Sequence, residues 1–218
     1  VEFNALWYNA LCFCSQMLTE IGGESNLAQA AKLSELAEKV AASFKAVFLN
    51  EYGYLLDYVD GQMMDWSVRP NQLFAIALDY SPLNVKERKG VLDICTKELV
   101  TPKGIRSLSP KSGGYNPMYI GPQSQRDLAY HQGTAWPWLT GFYLEAYLRV
   151  YKMSGVNYIE RQLIGFEEEL FYHCVGTIPE LFDGNPRFSG RGAISFAMNV
   201  SGILRAIRLL EKYKIEEE

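Results

Sequence analysis

Two long segments, 105–135 and 176–192, are rich in glycine and proline and interrupt a chain that otherwise reads as one helix after another. A loop of about thirty residues inside a packed domain is usually either functional or disordered. Around these loops the helical signal is regular. Residues 4–20 carry apolar side chains at Leu6, Trp7, Ala10, Leu11, Cys14 and Leu18, a helical spacing that ends at Gly22-Gly23. Ser25 is the expected N-cap of the next helix. Its apolar stripe is Leu33, Leu36, Ala37, Val40, Phe44 and Val47, with Lys and Glu on the opposite face. Residues 49–68 have no clean period and read as a long loop with short strands. Pro70 sits where a first helical position would be and opens a short, nearly all-apolar helix that Ser81-Pro82 stops. Further helices are expected over 84–100, from Pro137 onward, over 158–173 and over the run AISFAMNVSGILRAIRLLEKYK. The acidic tail Glu216, Glu217 and Glu218 is expected to fray. The total is seven helices with almost no strand signal. Their alternation between amphipathic and nearly all-apolar suits two layers, one enclosed and one facing water. A bundle and a toroid both satisfy it. No repeat of 20–50 residues is evident, which disfavours a solenoid.

Composition excludes several classes of function. The 218 residues hold 21 basic against 25 acidic side chains, a net charge of -4, and no basic run, so a nucleic-acid footprint is not expected. No apolar stretch approaches the roughly 20 residues of a membrane span. Four cysteines (Cys12, Cys14, Cys95, Cys174) do not make a disulfide framework. Cys12 and Cys14 lie two positions apart on one helix and so off a common face. Two histidines, His131 and His173, leave little for a metal site, and no metal or cofactor is expected. There is no P-loop, no GxGxxG after a strand and no GxSxG. The run Glu167-Glu168-Glu169 reads as a solvated helix face. The unusual quantity is aromatic content: 14 Tyr, 11 Phe and 4 Trp.

Three clusters could carry chemistry. In DWSVRPNQ, Pro70 fixes the start of a helix and hence the projection of Arg69. Arg69 offers a rigid fork of donors for paired hydroxyls or a carboxylate, and Trp66 offers a face for stacking on a sugar ring. A helix cap with a structural Arg–Asp pair accounts for the same residues. In RDLAYHQGTAWPW, Tyr130, His131, Gln132, Trp136 and Trp138 lie within nine residues, and Gly133 permits close backbone approach. Such density is costly to expose and awkward to bury without polar partners, which favours a site over a packed corner. Asp127 is a partner for His131 or Arg126. In GTIPELFDGN, Glu180 stands between Pro179 and two apolar residues, and a carboxylate in such company is hydrogen-bonded or used. Glu180 and Asp183 are the best acid/base candidates; a loop acid paired with Arg187 or Arg191 is the plainer account.

The segments VEFNALWYNAL, RPNQLFAIAL followed by SPL, RDLAYHQGTAWPWL and GTIPELFDG, in that order, resemble the C-terminal catalytic domain of glycogen debranching enzymes, the amylo-α-1,6-glucosidases. The resemblance runs from Val1 to about the last helix. It implies part of an (α/α)6 toroid, a six-hairpin glycosidase, and so favours toroid over bundle. It also implies hydrolysis of α-1,6-linked glucose at glycogen or limit-dextrin branch points by an inverting acid/base mechanism in a cytoplasmic enzyme of glycogen catabolism. Glu180, in the segment similar to the family's GxxPEL, would be the general base. Arg69, Asn71 and Gln72 would line the subsite for the non-reducing glucose. Tyr130, His131, Gln132, Trp136 and Trp138 would build the rest of the pocket, and Trp66 and Asp183, singled out above by their own chemistry, are expected to bind substrate with them.

One departure bears on activity. The family's general acid lies in a segment resembling TWMDA ahead of the VExNALW stretch, which here is Val1–Trp7. The whole chain, 1–218, is therefore expected to be one domain, the C-terminal portion of a larger toroid, as a cut fragment or a truncated gene product. Alone it is expected to lack the acid and to be nearly inactive, with the remainder of the catalytic domain as its partner. Uncovered apolar faces are expected to drive dimerisation. The competing readings are a non-catalytic carbohydrate-binding remnant, and another α-glucan or trehalose glycosidase on the same toroid.

Overall fold

A stripe of apolar side chains closed by a glycine pair produces the first two helices, α1 (Glu2–Ile21) and α2 (Glu24–Phe48). Gly22 and Gly23 turn the chain between them at φ +74° and +91°, and Ser15 Oγ donates to Ala30 O across the pair at 2.9 Å. Ser25 does not cap α2. The helix starts at Glu24 with Gly23 at the cap position, two residues ahead of Ser25, which leaves Ser25 inside the first turn. The computed structural model describes residues 1–173 and 175–215. Cys174 and the expected frayed tail lie outside the described residues.

The chain divides into two compact units, Val1–Trp66 with Asn71–Val91, and Ser67–Pro70 with Leu92–Glu218. In the first, Leu11 of α1 and Phe44 and Phe48 of α2 are buried. Leu55, Leu56, Leu73 and Ile76 are buried in the same unit. A hairpin of β1 (Val59–Asp60) and β2 (Met63–Met64) falls in the segment read as loop with short strands. The apolar run after Pro70 is a 3-10 turn, Pro70–Leu73, followed by α3 (Phe74–Ala77). Helix α4 (Val85–Leu99) runs through the division between the units.

The second unit is built on α6 (Trp138–Tyr151) and α9 (Ala197–Ile215). Most of α6 is buried, as its nearly all-apolar sequence requires. The two helices approach at Gly141 and Gly202, where a side chain on either would strike the other helix's backbone. Ala135, Phe166, Ile178, Phe182 and Ile203 form the core beneath them.

The expected helix over 158–173 is broken. It becomes α7 (Val156–Ile164) and the short α8 (Glu169–Tyr172). Gly165 ends α7 with its carbonyl bound by Lys103 Nζ at 2.7 Å, and the same ammonium pairs with Glu169 at 2.8 Å. Glu169 is thereby buried, so the three-glutamate run is not a uniformly solvated face.

Five very short strands, β3 (Val100–Thr101), β4 (Gly104–Arg106), β5 (Ala135–Trp136), β6 (Leu181–Phe182) and β7 (Gly190–Arg191), pair antiparallel in that order. Strands of two or three residues carry no alternation to read, which is why the sequence shows no strand signal. A short α5 (Gln123–Asp127) sits inside the first long loop. No helix of the described residues is long and apolar enough to cross a membrane, and no group of three His, Cys, Asp or Glu among them could hold a metal ion.

Candidate active site

The sheet draws both long loops together. Pairing of Ala135 with Phe182 sets the aromatic cluster beside the segment that begins with Glu180. Tyr130 donates its hydroxyl hydrogen to Glu180 Oε1. Ala193 N–H donates to Oε2 at 2.8 Å, while Glu180 N–H donates back to Ala193 O at 2.9 Å. Burial and the carboxylate together push the Tyr130 phenol well above its ordinary range, so it remains a donor at neutral pH.

Glu180 opens onto a cleft of about 640 Å³ lined by Tyr119, Ile120, Gln123, Arg126, Arg191 and the glycines 121 and 192. Among these lining residues it is the only carboxylate. Arg126 lies over the Tyr119 ring at 5.7 Å. Asp127 accepts from Gln123 Nε2 at 3.1 Å, a partner other than the two expected for it.

The aromatic cluster packs behind Tyr130. Trp136 meets its ring edge-on at 5.0 Å, and His131 stacks on Trp136 at 5.5 Å. Although His131 is exposed as a residue, desolvation of its packed ring, then the Arg69 charge, hold its pKa below the usual imidazole value. Arg69 directs hydrogen bonds to the loop itself: to His131 O at 2.8 Å, Ser107 O at 3.2 Å and Gln132 Oε1 at 3.0 Å. Trp138 contributes its amide, which donates to Asn199 Oδ1 at 3.0 Å, and its ring meets Phe142 edge-on.

Asp183 is 1% exposed. Its Oδ1 accepts Tyr119 N–H at 2.8 Å, and its Oδ2 accepts Arg191 Nε and Nη2 at 3.0 and 2.8 Å. The plainer account offered for the two loop acids thus fits Asp183, whereas Glu180 takes a tyrosine and a backbone amide. Trp66, Asn71 and Gln72 belong to the first unit. Trp66 is half-exposed beside Tyr52, Asn71 Nδ2 donates to Asp57 Oδ1 at 2.8 Å, and buried Gln72 accepts Leu55 N–H at 3.3 Å.

Sequence reasoning named Arg126 and Arg191 only as partners of loop acids, and it missed Tyr119 and, above all, Asn199. Asn199 is completely buried, and its Nδ2 donates to both Pro179 O and Glu180 O at 2.6 Å. A lone asparagine in the run AISFAMNVSGIL was the available signal. A buried amide of that kind needs partners, and here they are the backbone that carries Glu180.

A family model described as amylo-alpha-1,6-glucosidase matches residues 1–205. A glycogen debranching enzyme from Saccharomyces cerevisiae is 37% identical over 91 residues, which is 38% of this chain and 6% of that protein. Among solved structures, a neutral trehalase from Saccharomyces cerevisiae superposes with a TM-score of 0.65 at 17% identity, covering 96% of this chain and 39% of that one. A GH63 mannosylglycerate hydrolase from Thermus thermophilus superposes with a TM-score of 0.63 at 13% identity, covering 95% of this chain and 44% of that one. These neighbours are (α/α)6 toroid enzymes, and the chain matches part of that fold, as the sequence resemblance implied. The chain spans less than half the length of each of these three proteins.

Proposed function

This chain belongs to the amylo-alpha-1,6-glucosidase family of glycoside hydrolases, and from that premise we propose that it binds an α-glucan branch point and supplies the general base for inverting hydrolysis of the α-1,6 bond. Glu180 is that base. The observation carrying the reading is that the one carboxylate among the cleft's lining residues is held by two donors beside aromatic and arginine side chains. Each bound oxygen keeps a further lone pair with which to take a proton from water.

Inversion needs a second carboxyl group roughly 6.5–9.5 Å away to protonate the leaving oxygen. Asp183 does not serve, because both of its oxygens are occupied behind the cleft. On this reading the acid comes from the remainder of the catalytic domain and the chain alone releases little or no glucose, and glucose release by the chain alone would instead point to Asp57, Asp65 or Asp127 as the acid. Tyr119, Arg126 and Arg191 line the pocket with Glu180, while Tyr130 with His131 and Trp136 packed on it backs Glu180, and Arg69 holds the loop of His131 and Gln132. Trp66, partly exposed, offers a face for stacking on a sugar, whereas Gln72 is 2% exposed and bonded to Leu55 N–H and Asn71 is bonded to Asp57, so neither is assigned a sugar contact. A cytoplasmic enzyme of glycogen breakdown fits this reading.

A second reading, a carbohydrate-binding remnant, is favoured by the same single carboxylate. Glu180→Gln, made where the rest of the catalytic domain is present, separates the two. Collapsed turnover with retained glucan binding supports hydrolysis; unchanged behaviour supports binding alone. Profiling α-1,6-, α-1,4- and α,α-1,1-linked glucosides tests the substrate, and preference for either of the latter two would displace the debranching reading.

A further inference from the structure

We propose that Glu180 is aimed by a clamp with Tyr130 as its positioning residue: the Tyr130 hydroxyl on Oε1, the Ala193 amide on Oε2, and the Asn199 side chain on the backbone beneath. This rests on the reading of Glu180 as the base and identifies what fixes its direction.

A glutamate at the lip of a cleft has three side-chain torsions, and left to itself it samples several rotamers. Here each carboxylate oxygen meets a different donor, so the carboxylate plane has one orientation that satisfies both. The donors are themselves immobilised. The Tyr130 ring is held between Trp136 at 5.0 Å, Tyr119 at 5.6 Å and His131 at 4.6 Å. Ala193 is locked by its reciprocal backbone bond with Glu180. Asn199 joins the carbonyls of Pro179 and Glu180 to the Trp138 amide at the start of α6, so the base is tied to both long helices of its unit.

Gly192 completes the device. Its φ is +71°, a conformation side chains rarely adopt. A Cβ there would fall on the Glu180 carboxylate and lie within 3.0 Å of Glu180 Cβ and Cδ. The Asp183 carboxylate lies behind, binding the Tyr119 amide on one wall and Arg191, just before Gly192, on the other. The charged and titratable groups around Glu180 are Tyr119, Arg126, Tyr130 and Arg191, with His131 across the Tyr130 ring.

The test uses the 218-residue chain without any sugar, so the clamp and the hydrolytic reading fail separately. Tyrosine Cζ labelling follows the Tyr130 phenol, and amide exchange follows Ala193. In the wild type the phenol titrates well above an ordinary tyrosine; in Glu180→Gln its midpoint falls by about one unit or more. Ala193 amide exchange quickens about tenfold in Tyr130→Phe, which frees the carboxylate that accepts its N–H, a change on the order of one hydrogen bond's free energy. Gly192→Ala, which leaves Tyr130, Glu180 and Ala193 chemically intact, releases both signatures and serves should either other variant fail to fold. An unchanged Tyr130 titration in Glu180→Gln, or Ala193 exchange indifferent to Tyr130→Phe in a chain with wild-type circular dichroism, overturns the clamp.

Discussion

Tyr130 and Glu180 stand 50 residues apart in sequence, yet the hydroxyl of one is bound to the carboxylate of the other. The pairing of β5 with β6 makes that contact. Substitution of the carboxylate tests its use directly. With the rest of the catalytic domain present, Glu180→Gln lowers turnover by about 100-fold or more, the usual contribution of a positioned general base. Glucan affinity, followed by titration calorimetry, stays within a few-fold, because the amide keeps the shape of the group it replaces.

Asp183 predicts a stability effect instead. Asp183→Ala leaves the Tyr119 amide and the Arg191 guanidinium without their acceptor. The expected loss is about 1–3 kcal/mol in urea unfolding. Asp183→Asn loses less, since its Oδ1 still accepts the Tyr119 N–H.

Packing of α6 on α9 gives a prediction with opposing terms. Gly141→Ala gains about 1 kcal/mol of helix propensity, but its Cβ would lie 2.6 Å from Gly202 O. Overpacking of that kind costs about 1–3 kcal/mol. Net destabilisation is expected, and a shift of the urea midpoint to higher concentration would show that the helices part at no cost.

His131 sets a pH dependence. Its folded pKa is held below the usual 6.5 by burial and by Arg69. The unfolded chain therefore binds the proton more readily, and the contribution of this group is fully present above pH 6.5. It is lost as the pH falls from there through the folded value. Denaturation between pH 7 and 5 should show a shallower decline in His131→Gln than in the wild type, and equal slopes would remove His131 as a source of acid sensitivity.

The α1–α2 pair predicts self-association. Trp7 and Phe13 are each 52% exposed along an apolar groove of about 400 Å³ that also takes in Met17, Leu18 and Leu33. Exposed apolar surface of this kind promotes association. Light scattering should find the isolated chain growing in mass with concentration, and Trp7→Glu with Phe13→Glu should reduce that growth.

Helix positions were readable because a 3.6-residue period is a local property: α1, α2, α4 and α6 appear within a few residues of where apolar spacing, Gly22-Gly23 and Pro137 place them. The proposed role of Glu180 as base came from the family resemblance, but its need for hydrogen-bond partners was readable too, since it is set among Pro179, Leu181 and Phe182. The break of the 158–173 helix was not, because it depends on Lys103 reaching Gly165 and Glu169 from some 60 residues away. Nor was the division of labour between the two loop acids. Asp183 and Glu180 are three residues apart and chemically alike, and local pattern cannot tell which one faces the cleft. Two-residue strands and a buried Asn199 decide that. They draw their stability from partners distant in the chain, so the bonds that separate the proposed base from its buried neighbour exist only once the fold has formed.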